Sequence, residues 1–182
     1  MRRAVRPTVR PIVVLLLIGL LAFAAGCGGA KPVPPPVTAE VTVYFYLSSD
    51  GMTLEPVVRE VTLKEDTLEA RLQAAMEELL KGPSAEEADR LVSQLPEDVK
   101  LLGVEVSPPY ATLDLSAALE QIGGSARVLG ILQQLTYTGT QFEEITDLVL
   151  EVEGVRVGTN ERPFSGEGAL FETLTRQGDQ PL

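Results

Sequence analysis

The sequence predicts an α+β fold: a single small domain whose mixed sheet carries two amphipathic helices on one face, in the order β-β-α-(α)-β-β-α-β-β. Three observations lead there. Runs rich in β-branched and aromatic residues are bounded by turn residues, two segments repeat apolar residues at helical spacing, and the two patterns are intermixed along the chain.

Val41-Thr42-Val43-Tyr44-Phe45-Tyr46-Leu47 reads as the first strand, ending in the turn Ser48-Ser49-Asp50-Gly51. Alternation over Val57–Leu63 gives its hairpin partner. Leu68, Leu72, Ala75, Met76 and Leu79 then form one helical stripe, which Asp66 and Glu69 are expected to cap and Gly82-Pro83 to stop. Ser84 and Glu87 offer a second capping box, so a short helix is expected over Ala85–Val92. Val99–Val106 and Tyr110–Leu115 read as strands joined through Ser107-Pro108-Pro109, with Val104, Val106, Ala111, Leu113 and Leu115 as inward candidates. After Gly123-Gly124-Ser125, a second helix is expected over Ala126–Tyr137, with Val128, Leu129, Leu132 and Leu135 on its apolar face. Ile145–Val152 is a strong strand, and Glu153-Gly154 suits a tight hairpin into Val155–Val157. Beyond Thr159 the segment is polar and Gly-rich, anchored only by Phe164, Leu170 and Phe171. It is expected either to pack as an arm or to remain mobile.

Residues 1–26 read as an export signal. Arg2, Arg3, Arg6 and Arg10 precede an apolar run from Ile12 to Ala25, too short for the roughly 20 residues of a bilayer-spanning helix. The run ends at Ala24-Ala25-Gly26-Cys27. Cys27 is the chain's one cysteine, so no intrachain disulfide forms, and its setting resembles a bacterial lipobox, although Ala24 stands where a larger aliphatic residue is commoner. The resemblance implies a Cys27 carrying acyl chains such as palmitate, the two-chain arrangement that gives stable anchoring. Residues 27–39 include Pro34-Pro35-Pro36 and read as an extended tether, leaving 40–159 for the domain and 160–182 for the arm. The expected location is the extracytoplasmic face of the cell membrane.

Composition excludes several activities. The chain has 15 basic and 26 acidic residues, a net charge of −11. Without the four leader arginines, eleven basic residues face twenty-six acids, a balance of −15 that opposes binding to nucleic acid. There is no histidine and no phosphate-binding loop, so neither a Ser-His-Asp triad nor a histidine zinc site exists, and no catalytic residue, metal or cofactor is expected. The adjacent acids Glu77/Glu78, Glu86/Glu87 and Glu143/Glu144 read as solvated surface rather than a paired-carboxylate centre. Tyr44 and Tyr46 lie on the strand face opposite Phe45 and are the candidate interface residues, as an exposed pair or as cover for a sheet rim.

Several segments taken together resemble the GerM (GerMN) domain of sporulation, spore-germination and other envelope lipoproteins. They are Val43-Tyr44-Phe45, Glu78-Leu79-Leu80-Lys81-Gly82-Pro83, Leu95-Pro96 before Lys100-Leu101-Leu102-Gly103-Val104, Ala111-Thr112-Leu113-Asp114-Leu115-Ser116 and Leu135-Thr136-Tyr137-Thr138. Gly139 departs from the pattern, where a larger apolar residue is usual, and is expected to weaken the end of the second helix. The resemblance implies a noncatalytic module that interacts with an envelope protein partner, and it supplies no catalytic residues. The alternative is a lipoprotein that binds cell-wall glycan or a small ligand in a concave, partly aromatic pocket. A carboxylate-dependent hydrolase is the third reading, requiring two acids across a cleft.

Overall fold

A computed structural model of the chain describes residues 35–164 and 170–176. The export leader, Cys27 and the tether as far as residue 34 lie outside the described residues, as do 165–169 and 177–182. Among the described residues no helix is long and apolar enough to cross a membrane.

The chain opens with a long hairpin. Strand β1 (Val37–Leu47) pairs antiparallel with β2 (Leu54–Leu63) in unbroken register from Val37↔Leu63 to Tyr46↔Leu54. The hairpin is longer at both ends than the sequence suggested. Val37, Thr38 and Ala39, expected in the tether, extend β1 because Leu63, Thr62 and Val61 stand opposite to pair with them. Alternation then sorts the side chains. Val41, Val43, Phe45, Val61 and Leu63 are buried on one face, while Glu40, Pro56, Val58, Glu60 and Thr62 are exposed on the other.

Helix α1 (Leu68–Lys81) buries Leu72, Ala75, Met76 and Leu79, the predicted stripe. Its cap is Thr67 rather than Asp66: Thr67 Oγ1 accepts the Ala70 N–H at 3.1 Å, and Asp66 is engaged by the Arg71 guanidinium. The helix stops at Gly82 as expected. The short helix expected over 85–92 does not form. Glu87 does reach back to the Ser84 N–H at 2.9 Å, but the chain makes only turns before Leu91–Val92 leaves as strand β3. Pairing of Leu91 and Val92 with Leu47 and Tyr46 draws those residues into the sheet, so the helical turn cannot propagate.

Strands β4 (Leu101–Ser107) and β5 (Tyr110–Leu115) form the second hairpin, across a cis Pro108–Pro109 bond. A 3-10 turn (Ala117–Glu120) leads to helix α2 (Ser125–Gly139). Strand β6 (Asp147–Val152) lies parallel to β5, and Glu153 and Gly154, both at positive φ, turn it into β7 (Val155–Arg156). Strand β8 (Leu174–Thr175) pairs with the start of β6. The strands therefore form two sheets, β2-β1-β3 and β4-β5-β6-β7, the second mixed and joined by β8 along β6.

The main apolar core serves both sheets and both helices, and Val41, Val61, Leu63 and Ala75 form a smaller cluster of hairpin and α1 residues. Helix α1 lies against β1, β2 and β4, and α2 packs beside it against β1. The arm contributes too: Phe164 is fully buried, Phe171 meets it edge-on at 6.1 Å, and Arg162 donates to the Val152 carbonyl and pairs with Glu120. Gly139 does not weaken α2. It is the last helical residue, and a Cβ there would sit 2.5 Å from Leu148 Cδ1 and 3.1 Å from Met76 Cε. The missing side chain is what lets the helix end approach β6.

Candidate interaction surface

The inner edge of β1 meets α2 rather than another strand. Apart from its last two residues, which pair with β3, β1 has no strand partner on this side. Its outward N–H and C=O groups need substitutes, because a buried peptide group without a partner is costly. Side chains from α2 and the residues just after it supply them. Gln141 accepts the Thr42 N–H at 2.7 Å and donates to the Thr42 carbonyl at 2.8 Å. Thr138 Oγ1 accepts the Tyr44 N–H, and Gln134 Nε2 donates to the Tyr44 carbonyl at 2.8 Å. A carboxamide carries the same donor and acceptor as a peptide, so this row stands in for a neighbouring strand. The other end of Gln134 accepts the Gln94 N–H at 2.7 Å, and the residue is completely buried.

This seam fixes the two tyrosines. Tyr46 is only 3% exposed, because α2 approaches closely at Gly130 and Gln133 takes the phenolic O–H. Burial pushes that phenol up to about 12. An exposed tyrosine pair is thus not what forms: Tyr46 is the floor of a hollow, and Tyr44 is half-buried on its flank. Tyr44 packs against Tyr137 at 5.4 Å, and the Arg176 guanidinium covers both rings at 5.5 and 4.9 Å. Arg176 also donates to the Tyr137 carbonyl at 2.6 Å, where a cation suits the last turn of a helix.

The hollow above Tyr46 has a volume of about 420 Å³ and is bounded by Met52, Leu54, Gln94, Leu129, Gln133 and Tyr137. Met52 is 82% exposed and Leu129 54%. Leu129 was expected in the core. Because Val128, Ile131, Leu132 and Leu135 take the buried side, Leu129 is turned about 100° away from Val128, toward the solvent. Met52 is held out by an ordered turn: Asp50 accepts the N–H groups of Met52 and Thr53 and the Thr53 hydroxyl, bonds that hold its carboxyl below the ordinary range. Asp50-Gly51 is therefore a hairpin device. From the hollow, the outward face of β1–β2 continues through Tyr44–Pro56 and Thr42–Val58 to Glu40–Glu60, each written as a pair of opposed residues.

The adjacent acids diverge. Glu78 is near Arg59 and Lys81, Glu87 is bound by Arg59 at 2.8 Å, and Glu77 accepts from Gln73. Glu77, Glu86, Glu143 and Glu144 are exposed. Hydrogen bonding to Arg59 holds the Glu87 carboxyl at about 2. Among the described residues no group of three acids is placed to hold a metal ion.

The family model for Germane, described as sporulation and spore germination, matches residues 42–158. This chain belongs to the Germane family. Its Germane domain shares the fold of the tandem GerMN domains of the sporulation protein GerM from Bacillus subtilis, with a TM-score of 0.55 and 22% identity over 76% of this chain and 45% of that one. The chain thus spans slightly under half the length of that tandem structure. The first GerMN domain of the same protein gives a TM-score of 0.53 at 17% identity, covering 76% of this chain and 98% of that one. A candidate lipoprotein from Clostridium perfringens gives 0.53 at 20% identity, covering 79% and 93%. No curated protein matches the sequence. The motifs that suggested a GerMN domain thus belong to a Germane domain. They gave no sign of the residues that build this region: Gln134, Gln141 and Arg176 are polar positions that neither motif nor apolar spacing marks, Val58 looks like an ordinary strand residue, and Met52 falls in the turn.

Proposed function

We propose that this protein is a noncatalytic lipoprotein, anchored through Cys27 on the extracytoplasmic face of the membrane, whose Germane domain binds an envelope protein partner in sporulation- or germination-type assembly. The match of a sporulation and germination family over 42–158 carries this reading. Cys27 after a basic leader and an apolar run supports the anchor, as does the related fold in a candidate lipoprotein. The absence of histidine from the sequence, and acids that either pair with arginine or face outward, support an interaction role rather than catalysis.

Intact-mass analysis and membrane fractionation of the native protein and Cys27→Ser test the anchor. The native chain is expected to begin at an acylated Cys27 and partition with membranes, and the variant to lose both properties. An unmodified native chain would refute it.

A glycan-binding role is the second reading, favoured by the hollow, which sets Tyr46 and Tyr137 beside the amides of Gln94 and Gln133. Cosedimentation with purified peptidoglycan sacculi, abolished by Tyr137→Ala, would put this reading in place of the first.

A further inference from the structure

The outward face of the β1–β2 hairpin has a polarity that the domain itself does not use. From the loop inward it runs Met52, Tyr46–Leu54, Tyr44–Pro56 and Thr42–Val58, then abruptly Glu40–Glu60. Val58 is 61% exposed and Met52 82%, and Pro56 is exposed as well, whereas Tyr46 is buried and Tyr44 is covered by Tyr137 and Arg176. Because the backbone groups of Thr42 and Tyr44 point to α2, these rungs are of the non-hydrogen-bonded kind, in which opposed side chains are closest. Glu40 and Glu60 are therefore two like charges held side by side, an arrangement unfavourable in a free sheet. Neither takes part in an ion pair among the described residues. The distance along the strand from this acidic rung to Tyr46 is roughly 20 Å at the usual rise per residue.

We propose that this face docks a segment of an envelope protein that places lysine or arginine against Glu40 and Glu60 and apolar side chains over Val58, Pro56 and Met52. Charge complementarity selects the occupant. A cation between the two carboxylates relieves their repulsion, so the rung contributes more when bound than when free. A second copy of the chain brings the same acids and a mature charge of −15, and an anionic lipid surface repels the face in the same way. The assignment rests on the interaction role proposed above.

The test uses the full chain in its native membranes, with a photoreactive benzoylphenylalanine at position 58 or, as a control on the other sheet, at the exposed Leu102 on β4. Position 58 is expected to yield an adduct whose mapped peptide contains lysine or arginine beside apolar residues. Glu60→Lys is expected to cut that yield roughly tenfold, by removing the charge attraction. The same substitution sets opposite charges across the rung, so the thermal midpoint should hold or rise, separating lost docking from lost folding. An adduct insensitive to Glu60→Lys, a mapped peptide without basic residues, or adducts only to a second copy, lipid or glycan would overturn the proposal. Crosslinking from 102 but not 58 would overturn it while leaving the interaction role standing. Silence at both positions would remove both.

Discussion

Gln134 shows how much a single side chain can decide. It is completely buried and satisfies two backbone groups of different segments, the Tyr44 carbonyl and the Gln94 N–H. Gln134→Leu keeps the volume but strands both groups, and is expected to cost about 2–6 kcal/mol in denaturant unfolding, at 1–3 kcal/mol for each unsatisfied group. Gly139 makes the opposite kind of point. Helix propensity alone favours alanine there by about 1 kcal/mol. The added methyl would sit 2.5 Å from Cδ1 of the fully buried Leu148 and 3.1 Å from Met76 Cε, so Gly139→Ala should instead lose roughly 1–2 kcal/mol by overpacking. A variant as stable as the parent would show that the end of α2 is loosely packed.

At the scale of elements, what could be read in advance was whatever period and punctuation encode. The stripe Leu72, Ala75, Met76 and Leu79 and the Gly82 stop were legible because burial of α1 follows its 3.6-residue repeat. The Glu153-Gly154 turn was legible because Gly154, at ease at positive φ, stands between two strand runs, whereas the positive φ of Glu153 could not have been foreseen from its residue type. The turn after Ser84 was misread because its local cap is real but loses to strand pairing by Leu91 and Val92, a contact more than forty residues distant in sequence. The candidate surface was half legible. Strand alternation put Tyr44 and Tyr46 on the correct face, but the closeness of α2, which buries Tyr46, depends on Gly130 and on tertiary packing. The hairpin itself yields a prediction: relief of the Glu40–Glu60 repulsion by Glu60→Lys should raise stability by roughly 0.2–1 kcal/mol in thermal or chemical unfolding.

For the whole molecule, pH reads out the ion pair that ties β2 to the turn after α1. Glu87 has its pKa lowered from 4.5 to about 2 by Arg59, so its contribution is complete above about pH 4.5. It is lost as pH falls from there through about 2, where both folded and unfolded chains become protonated. Glu87→Gln should cost about 1 kcal/mol at neutral pH, less than a fully buried charge-assisted bond because the pair is about a fifth exposed, and this difference from the parent should vanish below about pH 2. Parallel stability curves across that range would show that the pair contributes nothing.

The family match ends at residue 158, yet Phe164 has no exposed surface and belongs to the same core as both helices. The limit of the family match is therefore not the limit of the packed interior. A chain trimmed at that shared boundary would keep every strand from β1 to β7 and still leave an unfilled space as large as a benzyl group beneath them. Residues past the matched boundary thus complete the interior rather than trail from it.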